Sequence, residues 1–423
     1  MRIKKILLTL LLSTIIFTNC AKKEEKGKIV IRYMRWADPS ELASTKELLD
    51  LFMKKNPDIK VEFTTEAWGG YWNKLQTLIA ANVPPDVFLL SVDYIIDFYK
   101  RGVLLNLTPL IENDKSLDLK DFFEPPFEIF TVNGNLYALP RDINAIVLYY
   151  NKDLFDEAGV EYPNEKWTWD DLVKAGKKLT KDLNNDGYID QWGFITSLDF
   201  EVCWGNFVLQ NNGKLLNEDK TKSLVNSPEV IEAIQFLYDL ETKYKVAPNV
   251  TAKASLGDNV FLTGKVAMIS DGSWRIGAYR SANFRWDIAM LPMKKKHACI
   301  ANGVAHAISA KTKYQDAAWR LVKFLSDKEA QIALAKSGTS IPIRKSIAYS
   351  EYYLDGNPPG KINCLESIKY GYNYPVTEKM SEWLTFHLNN EIELAWLGKK
   401  TVQQAMNDAK KKIDKILLEA KKQ

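Results

Sequence analysis

The first third of the chain alternates between short apolar runs and helical repeats of apolar residues. Three short apolar runs predict β-strands: residues 29–34, 59–63 and 87–90. Between the first two runs, four residues recur at the spacing of one helix face: Leu42, Thr45, Leu49 and Phe52. A second helix is predicted over residues 71–81. Strands that are apolar on both faces and alternate with helices are typical of a parallel sheet covered on both sides, so the pattern predicts an α/β fold.

The rest of the chain is richer in predicted helix. Thr168 and Asp171 have the spacing of a capping box at a helix start. A long helix is predicted over residues 315–336, and further strands over residues 288–291 and 303–309. An apolar stripe along the C-terminal tail predicts a helix packed on its own domain: Val402, Met406, Ala409, Ile413, Ile416 and Ala420.

The N-terminus has the pattern of an export signal. A basic start precedes an apolar core over residues 6–17, which is too short for a membrane-spanning helix of about 20 residues. Cys20 follows this core and resembles the acylated cysteine of bacterial lipoproteins. We therefore predict a signal peptide over residues 1–19, a lipid anchor on Cys20 that holds the exported protein to the cell membrane, and a flexible tether over residues 20–28. Ordinary secretion with cleavage nearby is the alternative.

Length, charge and cysteine content narrow the class of protein. A chain of 423 residues is long for one hydrophobic core and indicates two domains. The net charge is +4, and the signal contributes three of the positive charges, Arg2, Lys4 and Lys5, so nothing indicates a nucleic-acid partner. The cysteines after Cys20 are widely separated and predict no disulfide framework: Cys203, Cys299 and Cys364.

Aromatic and acidic side chains follow each of the three predicted strands near the N-terminus. In open α/β sheets, ligands bind beyond the carboxyl ends of the strands. The candidates at these ends are Trp36 and Asp38, then Glu66, Trp68 and Tyr71, then Asp93 and Tyr94. An aromatic ring can cover the apolar face of a sugar while carboxylates accept hydrogen bonds from its hydroxyls, so these loops predict a carbohydrate site. Alternatively, Trp36 packs in the core, and Asp38 or Asp93 caps a helix.

Residues 182–190 match the first nine positions of a calcium-binding loop. The matching positions are Asp182, Asn184, Asp186, Tyr188 and Asp190, with Gly187 at the turn. The twelfth position is Gly193 instead of glutamate, so the bidentate ligand is missing locally. The loop predicts either a structural Ca²⁺, completed by a remote carboxylate, or a turn held by side-chain hydrogen bonds. No other cofactor is expected.

An ordered series of motifs resembles the extracellular solute-binding proteins of the maltose-binding type, which are the capture subunits of ATP-driven carbohydrate importers. The motifs are PDV (85–87), GVLLNLTP (102–109), GNLYALP (134–140), YYNKDLF (149–155), TWDDL (168–172), FLTGKVAM (261–268) and residues 338–342 with Arg344. The resemblance runs from about residue 28 to the C-terminus. It implies a monomer that delivers its solute to membrane permease subunits.

The resemblance also implies a two-lobed periplasmic-binding-protein-like fold of type II. Each lobe would be a mostly parallel sheet flanked by helices, with three hinge crossings near residues 144–146, 303–305 and 341–343. The first lobe is then residues 28–144 plus 305–341, and the second is residues 147–302 plus 344–423. Such lobes close on a ligand by hinge motion.

Further candidate ligand-binding residues lie near these crossings or on the second lobe: Arg141, Asp142, Trp204, Asp271, Trp274, Asn302 and Arg344. Trp274 follows a predicted strand over residues 266–269 and is the strongest candidate for stacking on a sugar ring. Arg141 and Asp142 precede the first crossing, where an ion pair between the lobes is the alternative to ligand contact.

Two other functions remain open from the sequence. The same fold could bind a polyamine, a peptide or a metal complex, because aromatic rings beside carboxylates also hold cations. An enzyme is the less favoured class, since the chain has no serine-hydrolase, zinc or dinucleotide motif. A secreted glycosidase needs only two suitably spaced carboxylates, so it remains an alternative. A binder returns the sugar unchanged whereas a hydrolase cleaves it, so an assay of the recovered sugar distinguishes the two.

Overall fold

A computed structural model describes residues 27–37, 39–257 and 259–421. The predicted signal peptide, Cys20, most of the tether and Asp38 lie outside the described residues. The strands are β1 Ile29–Trp36, β2 Ile59–Glu66, β3 Val87–Leu90, β4 Thr131–Val132, β5 Asn135–Leu136, β6 Ala138–Pro140, β7 Asp142–Asn151, β8 Met268–Gly272, β9 Trp286–Ala289, β10 Cys299–Asn302, β11 Ala305–Ile308, β12 Ile341–Pro342 and β13 Gly371–Tyr372.

Helices make up most of the remaining structure. The α-helices are α1 Pro39–Lys55, α2 Trp68–Ala80, α3 Ile95–Lys100, α4 Thr108–Asn113, α5 Pro125–Phe130, α6 Lys152–Ala158, α7 Trp169–Leu179, α8 Gly205–Gln210, α9 Pro228–Thr242, α10 Val250–Leu256, α11 Ile276–Tyr279, α12 Gln315–Leu325, α13 Lys328–Ser337, α14 Lys345–Ala348, α15 Ile362–Ile368, α16 Asn389–Trp396 and α17 Val402–Ala420. Two π-helical segments, Phe200–Trp204 and Ser381–Leu388, belong to the second lobe. None of the helices in the described residues is long and apolar enough to cross a membrane.

The first lobe is built on a five-stranded sheet in the order β2-β1-β3-β11-β6. β1 runs parallel to β2 and to β3, so the carboxyl ends of all three lie at the same edge. α1 buries Thr45, Leu49 and Phe52 against this sheet, as the helical spacing predicted. The pairing confirms the predicted parallel arrangement and brings the loops after β1, β2 and β3 together.

The second lobe is built around β7, the longest strand of the chain. β7 pairs with β8, β9, β10 and β12, and all four pairs are antiparallel. Only β10 and β13 run parallel in the described part of this sheet. The two-lobed α/β fold is confirmed, but the expectation of a mostly parallel sheet in each lobe is wrong: the second sheet has one parallel pair, and in the first sheet β11 runs antiparallel to both β3 and β6. β7 carries the chain out of the first lobe and β10 carries it back, so these neighbours run in opposite directions.

Three segments join the lobes side by side. β7 pairs with β12 at Asp142 and with β10 at Asn144. β10 belongs to the second sheet and β11 to the first, so the chain changes lobe between them. At this point Gly303 lies against the first segment, because a Cβ atom on it would be 2.1 Å from the carbonyl oxygen of Asp142. The lobe boundaries and crossings expected from the sequence stay predictions, and Arg344 and Ser346 contact Asp121 of the first lobe.

One predicted helix is interrupted. The apolar pattern over residues 315–336 predicted a single helix, but α12 ends at Leu325 and α13 begins at Lys328. The break frees the carbonyl of Ser326, which accepts a hydrogen bond of 2.7 Å from the Nε atom of Arg344. A side chain close in space but distant in sequence therefore stabilises the break.

Two other helix predictions are confirmed. Thr168 and Asp171 form the predicted capping box at the start of α7. α17 packs its apolar stripe into the core of the second lobe, with Met406, Ala409 and Ile413 fully buried.

Candidate ligand-binding site

The loops after β1 and β2 form an aromatic cluster at the carboxyl edge of the first sheet. Trp36 meets Trp68 edge-on, with ring centroids 4.8 Å apart, and also contacts Tyr71 and Trp72. Trp72 stacks on Tyr94, from the loop after β3, with centroids 3.9 Å apart. Trp68 is 49 % exposed. The first lobe thus presents an exposed indole supported by a packed layer of rings.

Tyr71 takes a structural place in this cluster, which corrects its assignment as a ligand residue. Its ring is fully buried and its hydroxyl donates a hydrogen bond of 2.5 Å to the carbonyl of Leu89. Glu66 points along α2, because Lys74 donates to its carboxylate at 2.6 Å. That pair is partly exposed, so solvent weakens the interaction.

Asp93 lies in the short helical turn after β3 and faces the second lobe. Ser91 donates a hydrogen bond of 2.8 Å to its carboxylate and also accepts from its backbone N–H, so Asp93 does not itself cap the turn. Burial raises the pKa of Asp93, and the negative charge of Asp199 on the second lobe raises it further. The charges of Asp93 and Asp199, which belong to different lobes, therefore act on each other.

On the second lobe, Glu201 is the centre of a polar cluster. It lies in the π-helical segment Phe200–Trp204, a rare geometry that is frequent at functional sites. Asn302 donates to one of its carboxylate oxygens at 2.7 Å, and the hydroxyl of Tyr374 donates to the other at 2.9 Å. Burial raises the pKa of Glu201 to about 8, and the charges of Asp199 and Asp93 act in the same direction. Glu201 therefore keeps its proton to a higher pH than an ordinary glutamate.

Asp271 lies in β8, and Trp274 follows this strand on the same lobe. The indole of Trp274 packs closely against Gly272. A Cβ atom on residue 272 would lie 2.3 Å from three atoms of the ring, so only glycine leaves room for the indole here. Next to it, Ser273 donates to the side chain of Asn144 in β7 at 3.0 Å. Asp271 accepts from the hydroxyl of Tyr279 at 2.7 Å. Burial raises the pKa of Asp271, whereas Tyr279 and the ion pair with Arg275 lower it.

Arg141 and Asp142 form a buried network at the crossing. Arg141 donates to Asp142 at 2.6 Å and to Glu41 of α1 at 3.1 Å. Arg35 also donates to Glu41, at 2.7 Å. These arginines hold the pKa of Glu41 at about 2, although burial opposes this shift. The charges of Arg141 and Asp142 are committed to partners within the first lobe, which is neither ligand contact nor the ion pair between the lobes that was the alternative.

Two further sequence candidates are structural. Trp204 is fully buried in the core of the second lobe, and its indole N–H donates to Leu198 and to Asn389. Arg344 lies over the ring of Phe122 and forms an ion pair of 3.4 Å with Asp121. It lines an open depression of about 760 Å³ that contains none of the cleft residues described above. Neither side chain is placed to contact a ligand in the cleft.

Asp199, Glu201 and Tyr374 are not among the ligand-binding residues predicted from the sequence. Asp199 and Glu201 flank Phe200 shortly after a stretch that pairs with β8, where Ile195 bridges Ile269. The pattern of an aromatic residue beside carboxylates, which identified the loops of the first lobe, would have found this segment. Nothing in the sequence near Tyr374 indicates that it reaches Glu201.

The predicted calcium loop is an exposed turn with its own hydrogen bonds. Asp182 accepts from the backbone N–H of Gly187 at 2.8 Å, and Asp186 accepts from that of Tyr188 at 2.8 Å. Asp190 accepts from the backbone N–H of Leu183 at 2.8 Å. Across residues 27–37, 39–257 and 259–421, no group of three or more His, Cys, Asp or Glu residues is arranged to hold a metal ion. The hydrogen bonds match the alternative of a turn held by its side chains.

The raised pKa of Glu201 predicts a pH-dependent stability. Between the ordinary glutamate pKa of about 4.5 and the folded-state pKa of about 8, the folded protein holds a proton that the unfolded chain releases. Stability contributed by Glu201 therefore falls as the pH rises through this window. We expect Glu201→Gln to raise the melting temperature by about 2 °C or more at pH 8, and by much less at pH 5. The melting temperatures are measured in thermal melts of ligand-free protein. Equal increases at both pH values would contradict the raised pKa of Glu201.

The chain forms two α/β lobes that are joined by three crossings. The lobes face each other across a cleft with aromatic and acidic residues, and this architecture defines a solute-binding protein. The family model described as bacterial extracellular solute-binding protein matches residues 36–332, and the chain belongs to this family. The match covers both lobes and most of the cleft residues.

Individual relatives agree with this identification. An ABC substrate-binding protein from Listeria monocytogenes, solved in complex with cycloalternan, is 31 % identical, with a TM-score of 0.85 over 92 % of this chain and 99 % of that chain. The maltotriose-binding protein of Pyrococcus abyssi is 27 % identical over 84 % of this chain and 74 % of its own length. The arabinooligosaccharide-binding protein of Bacillus subtilis is 27 % identical over 70 % of this chain and 73 % of its own length.

Proposed function

We propose that this protein captures an extracellular carbohydrate between its lobes and delivers it to the permease of an ABC importer. The observation that carries the proposal is the convergence of exposed or half-buried indoles and carboxylates from both lobes. Trp36, Trp68 and Asp93 come from the first lobe, and Glu201 and Trp274 from the second. The named ligands of the relatives, cycloalternan, maltotriose and arabinooligosaccharides, support a saccharide of more than one unit.

The chemistry of the cleft suits a neutral ligand that is rich in hydroxyl groups. Indole rings cover the C–H faces of sugar rings and exclude water from them. Ionised carboxylates accept strong hydrogen bonds from hydroxyls, whereas the protonated carboxyl of Glu201 can both donate and accept. A ligand with many hydroxyls satisfies these groups as the lobes close and water leaves.

Isothermal titration calorimetry with a panel of mono- and oligosaccharides tests the proposal. The panel includes maltotriose and arabinooligosaccharides. We expect a heat of binding for at least one of its sugars. Spermidine and a short peptide serve as the non-sugar alternatives. Chromatography of the recovered sugar after prolonged incubation separates a binder, which returns it unchanged, from a hydrolase. Binding of spermidine or peptide without any sugar, or cleavage of the sugar, would contradict the proposal.

We propose that Cys20 carries the lipid that anchors the mature protein to the cell membrane as a monomer. The charged start, the short apolar core and the position of the cysteine support this. Cys20→Ala is expected to move the protein from the membrane fraction to the soluble fraction, with unchanged sugar affinity. A variant that still sediments with membranes after a high-salt wash would contradict the lipid anchor.

We propose a structural Ca²⁺ in the loop of residues 182–190, for which the oxygen donors at its alternate positions are the support. An ion that binds only the folded state raises the melting temperature. We expect calcium to raise the melting temperature of chelator-treated protein, and Asp186→Ala to abolish the increase. Identical melting curves of the wild type with and without calcium would contradict this proposal and favour a turn held by its own hydrogen bonds.

A further inference from the structure

A segment of the second lobe crosses the cleft to the first lobe. This segment, here called the strap, comprises residues 371–380. Its beginning is held by the parallel pairing of β13 with β10. Its later part is held by Trp383, whose indole N–H donates to the side chain of Thr377 at 2.8 Å, and by Lys220, which donates to the carbonyl of Val376 at 3.0 Å. These anchors all belong to the second lobe, so the strap is built as part of that lobe.

Two residues of the strap, Glu378 and Asn373, make polar contacts with the first lobe. Lys100, the last residue of α3, forms an ion pair of 2.5 Å with Glu378. Asn373 donates a hydrogen bond of 3.0 Å to the carboxylate of Glu128 in α5. α3 directly follows the loop that carries Asp93 and Tyr94. The ion pair therefore ties the strap to the element that positions the acidic residue of the first lobe.

Between these two contacts the strap enters the cleft. Tyr374 donates to Glu201, and its ring meets that of Phe200 edge-on with centroids 5.1 Å apart. The same ring packs against both hydrophobic clusters of the described residues. One short segment thus links the cleft carboxylates to an ion pair at the far side of the cleft.

We propose that the strap is a latch in which Lys100 and Glu378 hold the lobes closed without touching the ligand. This inference rests on the proposed function, since a latch changes affinity only where closure accompanies binding. Opening of the cleft separates the two charges, so the ion pair stabilises the closed state alone. The apparent affinity of a protein falls with the fraction of molecules in the binding-competent state. Lys100 and Glu378 therefore set the affinity from a distance.

Neutral and charge-reversed variants test the latch. We expect Glu378→Gln and Lys100→Met to increase the radius of gyration of the ligand-free protein in X-ray scattering at low salt, about 20 mM. Each variant should weaken maltotriose binding about two- to five-fold, because a partly exposed ion pair contributes modestly. The double exchange, Lys100→Glu with Glu378→Lys, should restore both values. At about 500 mM salt, where the pair is screened, wild type and variants should converge.

Glu329→Gln is the matched control, because Glu329 forms a comparably exposed ion pair with Lys55 inside the first lobe. It should change neither the radius of gyration nor the affinity. The latch is refuted if Glu378→Gln and Lys100→Met give wild-type scattering curves at low salt, or if the control changes them equally. Scattering of ligand-free protein decides this even where no sugar binds. A wild type that binds no sugar contradicts the proposed function alone.

Discussion

Replacing Trp274 with alanine is expected to weaken carbohydrate binding about thirty-fold. The indole is partly exposed at the cleft and rests on Gly272, which fixes its plane. Losing a stacking indole removes apolar contact worth roughly 2 kcal/mol, which corresponds to about thirty-fold in Kd. Calorimetry with the tightest-binding sugar of the panel measures the change. The melting temperature of the ligand-free variant should stay near that of the wild type, because the ring is only partly buried.

Two further variants separate a binding role from a structural one. Gly272→Ala introduces a Cβ atom into the space of the Trp274 ring and should weaken binding without removing any indole. Trp204→Ala removes a fully buried indole and should cost about 3–5 kcal/mol of folding stability. If Trp274→Ala binds sugar as tightly as the wild type, the ring does not stack on the ligand. If it loses affinity only by unfolding, Trp274 belongs to the core.

The location of the site on the first lobe could be predicted because it depends on local sequence and one topological rule. Parallel strands that alternate with helices have their carboxyl ends at one edge of the sheet. Trp36, Glu66 and Asp93 stand at or just after the ends of β1, β2 and β3, and the observed pairing brings these ends together. Which ring faces the solvent was not predictable in the same way. Tyr71 and Trp68 belong to the same turn, yet only Trp68 is exposed.

The polar cluster of the second lobe depends on contacts that sequence spacing does not encode. Glu201 is held by Asn302 and Tyr374, which are 101 and 173 residues away along the chain. The same holds for Arg344, whose partners Asp121 and Ser326 come from separate elements of the first lobe. A charged residue in a family motif can either bind a ligand or stabilise the fold. Which of these it does depends on its neighbours in space, and sequence spacing does not encode them.

Trp204 and Trp274 illustrate the same limit for aromatic residues. Trp204 precedes Gly205 and Asn206, Trp274 follows Gly272, and both are candidates for stacking on a sugar. The π-helical turn at Phe200–Trp204 directs Trp204 into the core, where its N–H is satisfied. The end of β8 leaves Trp274 beside the crossing instead. Backbone geometry that is rare in proteins is the least predictable part of such a site.

Replacing Gly303 with alanine is expected to destabilise the protein by about 2 kcal/mol or more, since the added methyl group overlaps the backbone. The new Cβ atom would lie 2.1 Å from the carbonyl oxygen of Asp142 and 3.3 Å from its carboxylate. Neither atom can move freely, because Asp142 is fully buried and accepts from Val304 and Arg141. A fall in the midpoint of denaturant unfolding measures the effect.

Gly69→Ala provides the matched control for this prediction. Gly69 lies in α2, and a Cβ atom there meets nothing within 4 Å, so alanine should be neutral or slightly stabilising. If the Gly303→Ala protein instead relaxes around the new methyl group by shifting one crossing against another, stability is partly retained but the lobes close in a different relative orientation. Sugar affinity then falls although no cleft residue has changed. A Gly303→Ala protein with wild-type stability and wild-type affinity would contradict the close approach of the two crossings, and with it the account of how this hinge is built.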